Sequence, residues 1–183
     1  MERSTDLAQL HELLKEKSVK RGDFTLASGK KSSFYVDARL TTMSGRGQVL
    51  IGRMGLCAID EAGWKPAAVG GLTLGADPIA YAIAHAASNA GRTLDAFTVR
   101  KEAKGHGAGK LIEGGFVPGM SVVVVEDVIT TGDSALRAAA SLRENGGNVL
   151  GVLAVVDREE GGAERIQEAG YSVISLACVS EVL

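Results

Sequence analysis

Aromatic residues make up only 4 % of this 183-residue sequence, too few to build the base-stacking platform of a single-strand nucleic-acid binder. Proline is rare as well, 3 in all, which leaves no polyproline linker or collagen-type repeat to consider. The two cysteines, Cys57 and Cys178, stand far apart in apolar stretches. They read as small core residues rather than as a disulfide or half a zinc site, and a reducing cytoplasm fits them. Lys and Arg number 20 against 22 Asp and Glu, for a net charge of −2. The basic excess of a DNA- or RNA-coating domain is therefore missing, and no nucleic-acid partner is expected. No run approaches the ~18 apolar residues of a membrane span. The opening Met-Glu-Arg-Ser-Thr-Asp leads into a charged amphipathic segment without the apolar core of an export signal. A soluble, cytoplasmic protein with no membrane partner is expected.

What is present is a globular balance of 45 % apolar and 23 % charged residues. Domains cluster near roughly 100–150 residues, so residues 1–183 read as one domain. The 24 glycines are the oddity, about twice the usual ~7 % and without a repeat to explain them.

Leu7, Leu10, Leu13 and Leu14 recur at helical spacing behind Ser4 and Thr5, which can cap, and Arg21-Gly22 is expected to end that unit. Phe24–Leu26 and Ser33–Asp37 flank Ser28-Gly29 as a hairpin would, so residues 1–40 form a helix and hairpin of their own. A helix carrying Val49, Leu50, Met54, Leu56, Cys57 and Ile59 follows Ser44. From there strands and helices alternate. Strands are predicted at Ala67–Gly70, Ala96–Val99, Val122–Val125, Val149–Val156 and Val173–Leu176. Helices are predicted at Gly75–Ala90, with Pro78 in its first turn, and at Ser134–Glu144 and Ala163–Ala169. This alternation specifies an α/β fold with a mainly parallel sheet flanked by helices, and the uninterrupted valines at 122–125 suit a strand buried on both faces. In such sheets ligands bind beyond the carboxyl ends of the strands.

The segment Val122-Val-Val-Val-Glu-Asp-Val-Ile-Thr-Thr-Gly-Asp-Ser134 has the chemistry of a phosphate cradle. Unpaired N–H groups at a helix start attract an anion; Thr130, Thr131 and Ser134 add hydroxyl donors, and Gly132 allows close approach. Glu126 and Asp127 would repel phosphate but suit vicinal hydroxyls, so the pair of features points to a ribose 5-phosphate. The plainer alternative is that Asp127 ends a strand and Asp133 caps a helix. Neither GxxxxGK[ST] nor a strand-to-helix GxGxxG is present.

The whole string resembles the phosphoribosyl pyrophosphate (PRPP) signature of the type I phosphoribosyltransferases. The resemblance implies that Glu126 and Asp127 hold the ribose hydroxyls and that Val128, Ile129, Thr130, Thr131, Gly132, Asp133 and Ser134 wrap the 5-phosphate. It also implies the fold of that family, with residues 1–40 as a small hood over the core.

After the strand ending at Val99 comes Arg100-Lys-Glu-Ala-Lys-Gly-His-Gly-Ala-Gly-Lys110, cationic and rich in glycine. Such a loop suits a pyrophosphate leaving group, on which charge builds as the bond to the sugar breaks. Solvated charges with no role are the plainer alternative. Arg100-Lys-Glu-Ala-Lys-Gly-His-Gly107 resembles the Arg-Lys-x-x-Lys-x-His-Gly loop of orotate phosphoribosyltransferases. The resemblance implies that Arg100, Lys101, Lys104 and His106 contact pyrophosphate, with Lys104 the chief catalytic cation beside His106 and Asp127. It implies a homodimer in which residues 100–110 reach the neighbouring subunit's site, and Mg²⁺ carried on substrate oxygens, with no residue assigned as a metal ligand. Thr130 and Arg158 are placed at orotate, where a guanidinium could grip the carboxylate bidentately; pairing of Arg158 with Asp157 or Glu159 is the plainer alternative. His11 and His85 read as surface or packed residues.

Two departures stand out. Many family members have Phe-Thr-Leu-Lys-Ser-Gly where this chain has Ala27, and Ala-Tyr-Lys-Gly where it has Gly71-Leu-Thr-Leu-Gly-Ala-Asp-Pro78. Gly70 and Gly71 are left to offer backbone N–H groups to pyrophosphate. The implied activity is transfer of ribose 5-phosphate from PRPP to N1 of orotate, giving orotidine 5′-monophosphate in pyrimidine (UMP) synthesis. The rivals are a purine phosphoribosyltransferase and a non-catalytic PRPP sensor that binds nucleic acid.

Overall fold

Four consecutive valines set the centre of the fold. A computed structural model describes residues 2–25, 29, 31–102 and 111–183, and in it Val122, Val123, Val124 and Val125 are all fully buried within strand β6 (Ser121–Ile129). Side chains alternate across a strand. Val123 and Val125 therefore join a core with Leu10, Leu14, Ile51, Ile59 and Ile83, while Val122 and Val124 join another with Leu142 and Ile166. The first core lies under helices α1 (Glu2–Lys17), α3 (Gly45–Glu61) and α4 (Asp77–Asn89), and the second under α5 (Asp133–Glu144) and α6 (Gly162–Glu168). A run without alternation is what two covered faces require.

β3 (Ala68–Leu72), β4 (Asp95–Val99), β7 (Asn148–Asp157) and β8 (Val173–Cys178) run parallel with β6, and β5 (Ile112–Gly114) is an antiparallel edge; the order is β5-β4-β3-β6-β7-β8. Chain direction across the sheet reverses between β3 and β6. The loops that leave their carboxyl ends therefore part there and open a crevice, the usual ligand position in such sheets. β1 (Val19–Thr25) and β2 (Lys31–Val36) form a separate antiparallel hairpin. Short α2 (Arg39–Thr42) follows it and α7 (Val179–Val182) closes the described chain.

Most predicted elements form. Ser44 caps α3 by accepting the Gly47 N–H at 3.1 Å, and Pro78 sits in the first turn of α4, where its missing N–H costs nothing. Four expectations need correction. α1 begins at Glu2, so Ser4 and Thr5 lie inside it rather than capping it. Arg21 and Gly22 do not end a unit; they lie in β1, because the ladder with β2 starts directly after the helix at Val19 opposite Val36. β6 does not stop at its acids, since pairing with β7 carries it through Val128 and Ile129. Gly70 and Gly71 are not a nest in a loop. Both sit inside β3, where an added Cβ would lie 2.0 Å from the Phe97 carbonyl oxygen or 2.2 Å from that of Val125, so close packing is what excludes a side chain.

Candidate active site

An open cleft of about 380 Å³ occupies the crevice between β3 and β6. Glu126, Asp127 and Val128 line it from β6, Leu74 and Gly75 from the loop before α4, and Tyr35 and Arg39 from the hood side. A smaller hollow of about 100 Å³ adjoins it, lined by Glu126 and residues 128–135. Thr130 and Ser134 border both, so a sugar in the cleft could keep its phosphate in the hollow.

The hollow is built around a left-handed glycine. Gly132, at φ 78°, turns the chain from β6 into α5, and the N-terminal end of that helix faces the hollow with its free N–H groups. Gly162 at the start of α6 packs beneath: a Cβ there would lie 2.4 Å from the Thr130 carbonyl oxygen. Asp133 lines the hollow with its charge engaged by neighbours. Its carboxylate accepts the Thr131 hydroxyl at 2.8 Å and pairs with Arg165 at 2.6 Å, and these two hold it below the usual carboxylate range. Arg165 also donates to the Thr131 carbonyl at 3.0 Å, bracing the turn from outside. Of the three hydroxyls predicted for phosphate, that of Thr131 is thus committed to Asp133, while Thr130 and Ser134 face the shared border.

The two acids differ in setting. Glu126 is buried and its Oε2 has no hydrogen-bond partner. Burial pushes its carboxyl well above the usual range, and the adjacent Asp127 pushes the same way. Asp127 Oδ1 accepts the Val128 N–H at 2.9 Å, and its carboxylate packs against Gly75, where a Cβ would come within 2.7 Å of it. At the far wall Arg158 is buried, pairs with Glu160 at 2.9 Å and lies over the Phe34 ring at 4.9 Å, and its Nε is without a partner. Its backbone N–H is tied to the Ile129 carbonyl at 3.0 Å, which fixes the guanidinium relative to the cradle.

The site thus combines a cleft with two adjacent acids, a smaller hollow at a helix start and a buried guanidinium at the opposite wall. The chain is 51 % identical over 175 residues to the orotate phosphoribosyltransferase of Mycobacterium avium, covering 94 % of this chain and 95 % of that one. The chain belongs to the orotate phosphoribosyltransferase family. A crystal structure of the Mycobacterium tuberculosis enzyme of that name matches with a TM-score of 0.86 at 47 % identity, over 97 % of this chain and 98 % of that one. Another, of the same enzyme in complex with PRPP, gives 0.80 at 41 % identity, over 98 % of this chain and 92 % of that one. No family model matches the chain.

Within this family member the predicted site residues separate into groups. Glu126, Asp127, Val128, Thr130, Ser134 and Arg158 line the one cleft. Ile129 lies beneath it with its side chain in the second core. Lys101 reaches the cleft, whereas Arg100 lines a neighbouring hollow with Thr98 and Glu102 and pairs with Glu113 at 2.8 Å. Lys104 and His106 lie outside the described residues, as does Ala27. Arg158 pairs with neither Asp157 nor Glu159: Asp157 accepts the Glu159 N–H, and Glu159 accepts from Ser180. Sequence reasoning missed Phe34, Arg39, Glu160 and Arg165. Each acts through a contact that only the folded chain creates. His11 bonds the Leu176 carbonyl and His85 lies near Asn89, packed or at the surface as expected.

Proposed function

We propose that the cleft binds PRPP and orotate side by side and transfers ribose 5-phosphate to N1 of orotate, giving orotidine 5′-monophosphate and pyrophosphate for UMP synthesis. The observation that carries this is Arg158: a buried guanidinium with a free Nε, set at a fixed distance from a phosphate hollow, is a receptor for a planar carboxylate. Thr130 stands between the two and borders the base. Glu126 and Asp127 accept from the ribose 2- and 3-hydroxyls. Residues 128–134 cradle the 5-phosphate through backbone N–H groups and the Thr130 and Ser134 hydroxyls.

With the phosphate and base anchored at opposite ends, the anomeric carbon is the point that moves. Its bond to pyrophosphate lengthens through an oxocarbenium-like state, as in other glycosyl transfers, and no protein nucleophile is needed. Asp127 stabilises the positive ring and anchors its hydroxyl. Arg100, Lys101, Lys104 and His106 meet the charge that gathers on pyrophosphate, Lys104 foremost. Arg100 would exchange its pairing with Glu113 for the leaving group.

Mg²⁺ fits this donor set as a passenger. Glu126 is buried and its carboxyl is pushed above the usual range, whereas Asp127 lines the open cleft, so Asp127 is the residue that would face a cation carried on PRPP. When bound, the ion neutralises charge on the leaving group.

The enzyme is further proposed to be a homodimer with the 100–110 loop crossing between subunits. Exposed Leu40, Met43, Val49, Leu74 and Tyr81 support this, being carried on α2 and the residue that follows it, α3, α4 and the loop before α4. Gln48 joins these elements by donating to the Thr42 and Pro78 carbonyls. Residues 1–183 form one domain with 1–40 as its hood, and the two free cysteines support a cytoplasmic setting. Incubation with PRPP, orotate and Mg²⁺ should yield orotidine 5′-monophosphate and pyrophosphate in equal amounts. Turnover of a purine base but not orotate would overturn the reading.

A further inference from the structure

The cleft has to seat two anions, a pyrophosphate and a carboxylate, over a floor that already carries Glu126 and Asp127. Among the described residues three cations line it: Arg39, Lys101 and Arg158. Arg158 is committed to one wall by Glu160 and Phe34. Lys101 stands at the mouth of the cationic loop. Arg39 belongs to neither group, and its geometry is that of a prepared ligand donor.

Asp37 grips Arg39 at three points. It accepts the Arg39 backbone N–H at 3.2 Å, Nε at 2.8 Å and Nη2 at 2.9 Å. Asp37 is itself fixed, because its N–H donates to the Ser18 carbonyl at 2.9 Å and the buried Ser18 hydroxyl bonds that of Thr41 in α2 at 2.7 Å. The end of α1, the end of the hood hairpin and α2 thus lock one another, and the guanidinium projects from that lock. A guanidinium has five N–H groups. Asp37 uses one on Nε and one on Nη2, which leaves three for another acceptor. The side chain is half exposed, at 48 %, so these groups are open to the cleft. Arg39 lines the cleft together with Asp127, which packs against Gly75 of the loop before α4 and, after Asp37, favours the charged guanidinium. Arg39 therefore serves the Gly75 end of the cleft, and Arg158 the Phe34 end.

We propose that Arg39, pre-set by Asp37, is a PRPP-binding residue whose free N–H groups take the pyrophosphate. The inference rests on the PRPP-binding reading above. It supplies a fixed cation at the Gly75 end of the cleft, where residues 71–78 carry no basic residue.

Arg39→Ala and Arg39→Lys are to be compared with the wild type by steady-state kinetics and by titration with PRPP and with inorganic pyrophosphate. For Arg39→Ala, KM and Kd for PRPP and Kd for pyrophosphate should rise by about tenfold or more, as expected for loss of charge-assisted hydrogen bonds. The KM for orotate should stay within about twofold. Lys should recover part of the loss, since it restores charge without the fork. Asp37→Asn should move the same constants in the same direction by a smaller factor, a readout that separates pre-setting from simple contact. If PRPP and pyrophosphate affinities stay within about twofold, or if only orotate KM rises, the assignment is wrong. An equal rise in both KM values with a lowered Tm marks a structural role and also overturns it. A wild type that binds PRPP without turning over orotate would refute the activity alone, with the Arg39 comparison still read from the titrations. A wild type that fails to bind PRPP would refute both.

Discussion

Glu126 is the residue on which stability and binding most visibly compete. Its carboxyl is buried, one oxygen lacks a partner, and Asp127 is adjacent, so the neutral form is favoured. A carboxyl whose folded-state value lies above its ordinary 4.5 holds its proton more tightly when folded. Its contribution to stability is full below the ordinary value and is lost as pH rises through the raised one. Glu126→Gln cannot ionise, so its stability relative to wild type should increase steadily as pH rises from the ordinary value, measured by denaturant unfolding across pH. A pH-independent difference would show that Glu126 is not held neutral. The same variant should keep PRPP affinity within about threefold, because an amide presents one carbonyl acceptor and one donor as a protonated carboxyl does. Arg39 and Asp37 make the opposite kind of pair. Arg39 holds the Asp37 carboxyl below its usual range mainly through their hydrogen bond, so that pair persists at neutral pH and weakens only in acid.

At the scale of elements, the candidate site consists of strand ends braced by neighbouring turns. The β3–α4 loop meets the end of β6 where Gly75 lies against the Asp127 carboxylate. Gly75→Ala should push that carboxylate aside and lower kcat/KM by about tenfold or more, with global stability changed by about 1 kcal/mol or less, since the site is open to solvent. Kinetics matching the wild type would mean that Asp127 tolerates displacement. Much of this arrangement could be read from the chain. The helical spacing of Leu50, Met54 and Ile59 and the unbroken valines at 122–125 reported α3 and the sheet centre, because hydrophobic period is a local property. The acids and hydroxyls of 126–134 likewise pointed to the place where the cleft and its adjoining hollow lie. The four residues of α2 are too few to show a period, and the edge strand β5 has only three, so neither was visible. The bracing contacts were hidden for a different reason. Arg165 against Asp133 and Phe34 over Arg158 join segments whose proximity is decided by the fold, not by sequence spacing, while Glu160 pairs with Arg158 only two residues away through the conformation of the turn after β7. The predicted strand stopped at Gly70, two residues short of the end of β3, because Gly-Gly lacks the branched side chains that mark β structure.

The whole molecule divides labour between its three layers and its hood. Helices on both faces bury the sheet, the crevice between β3 and β6 sets where ligands lie, and the hood brings Arg39, Tyr35 and Phe34 to that crevice. If the 100–110 loop serves the neighbouring subunit, two inactive variants should rescue each other. Lys104→Ala lacks a loop cation and Arg158→Lys lacks the base clamp. A mixed dimer in the crossed arrangement has one site with both lesions and one with neither, so mixing the variants after dissociation should restore activity. No recovery, with mixed dimers confirmed by mass, would place the loop in its own subunit. The central claim is that a cleft reading a ribose phosphate at one end reads a carboxylate at the other. It is tested most directly by kcat/KM for orotate against adenine and hypoxanthine, each with saturating PRPP and Mg²⁺. The Arg158 wall predicts that orotate is preferred by about a hundredfold or more, the cost to a purine of offering no carboxylate to a buried guanidinium whose Nε lacks a partner. Equal use of a purine, or turnover of a purine alone, would contradict it.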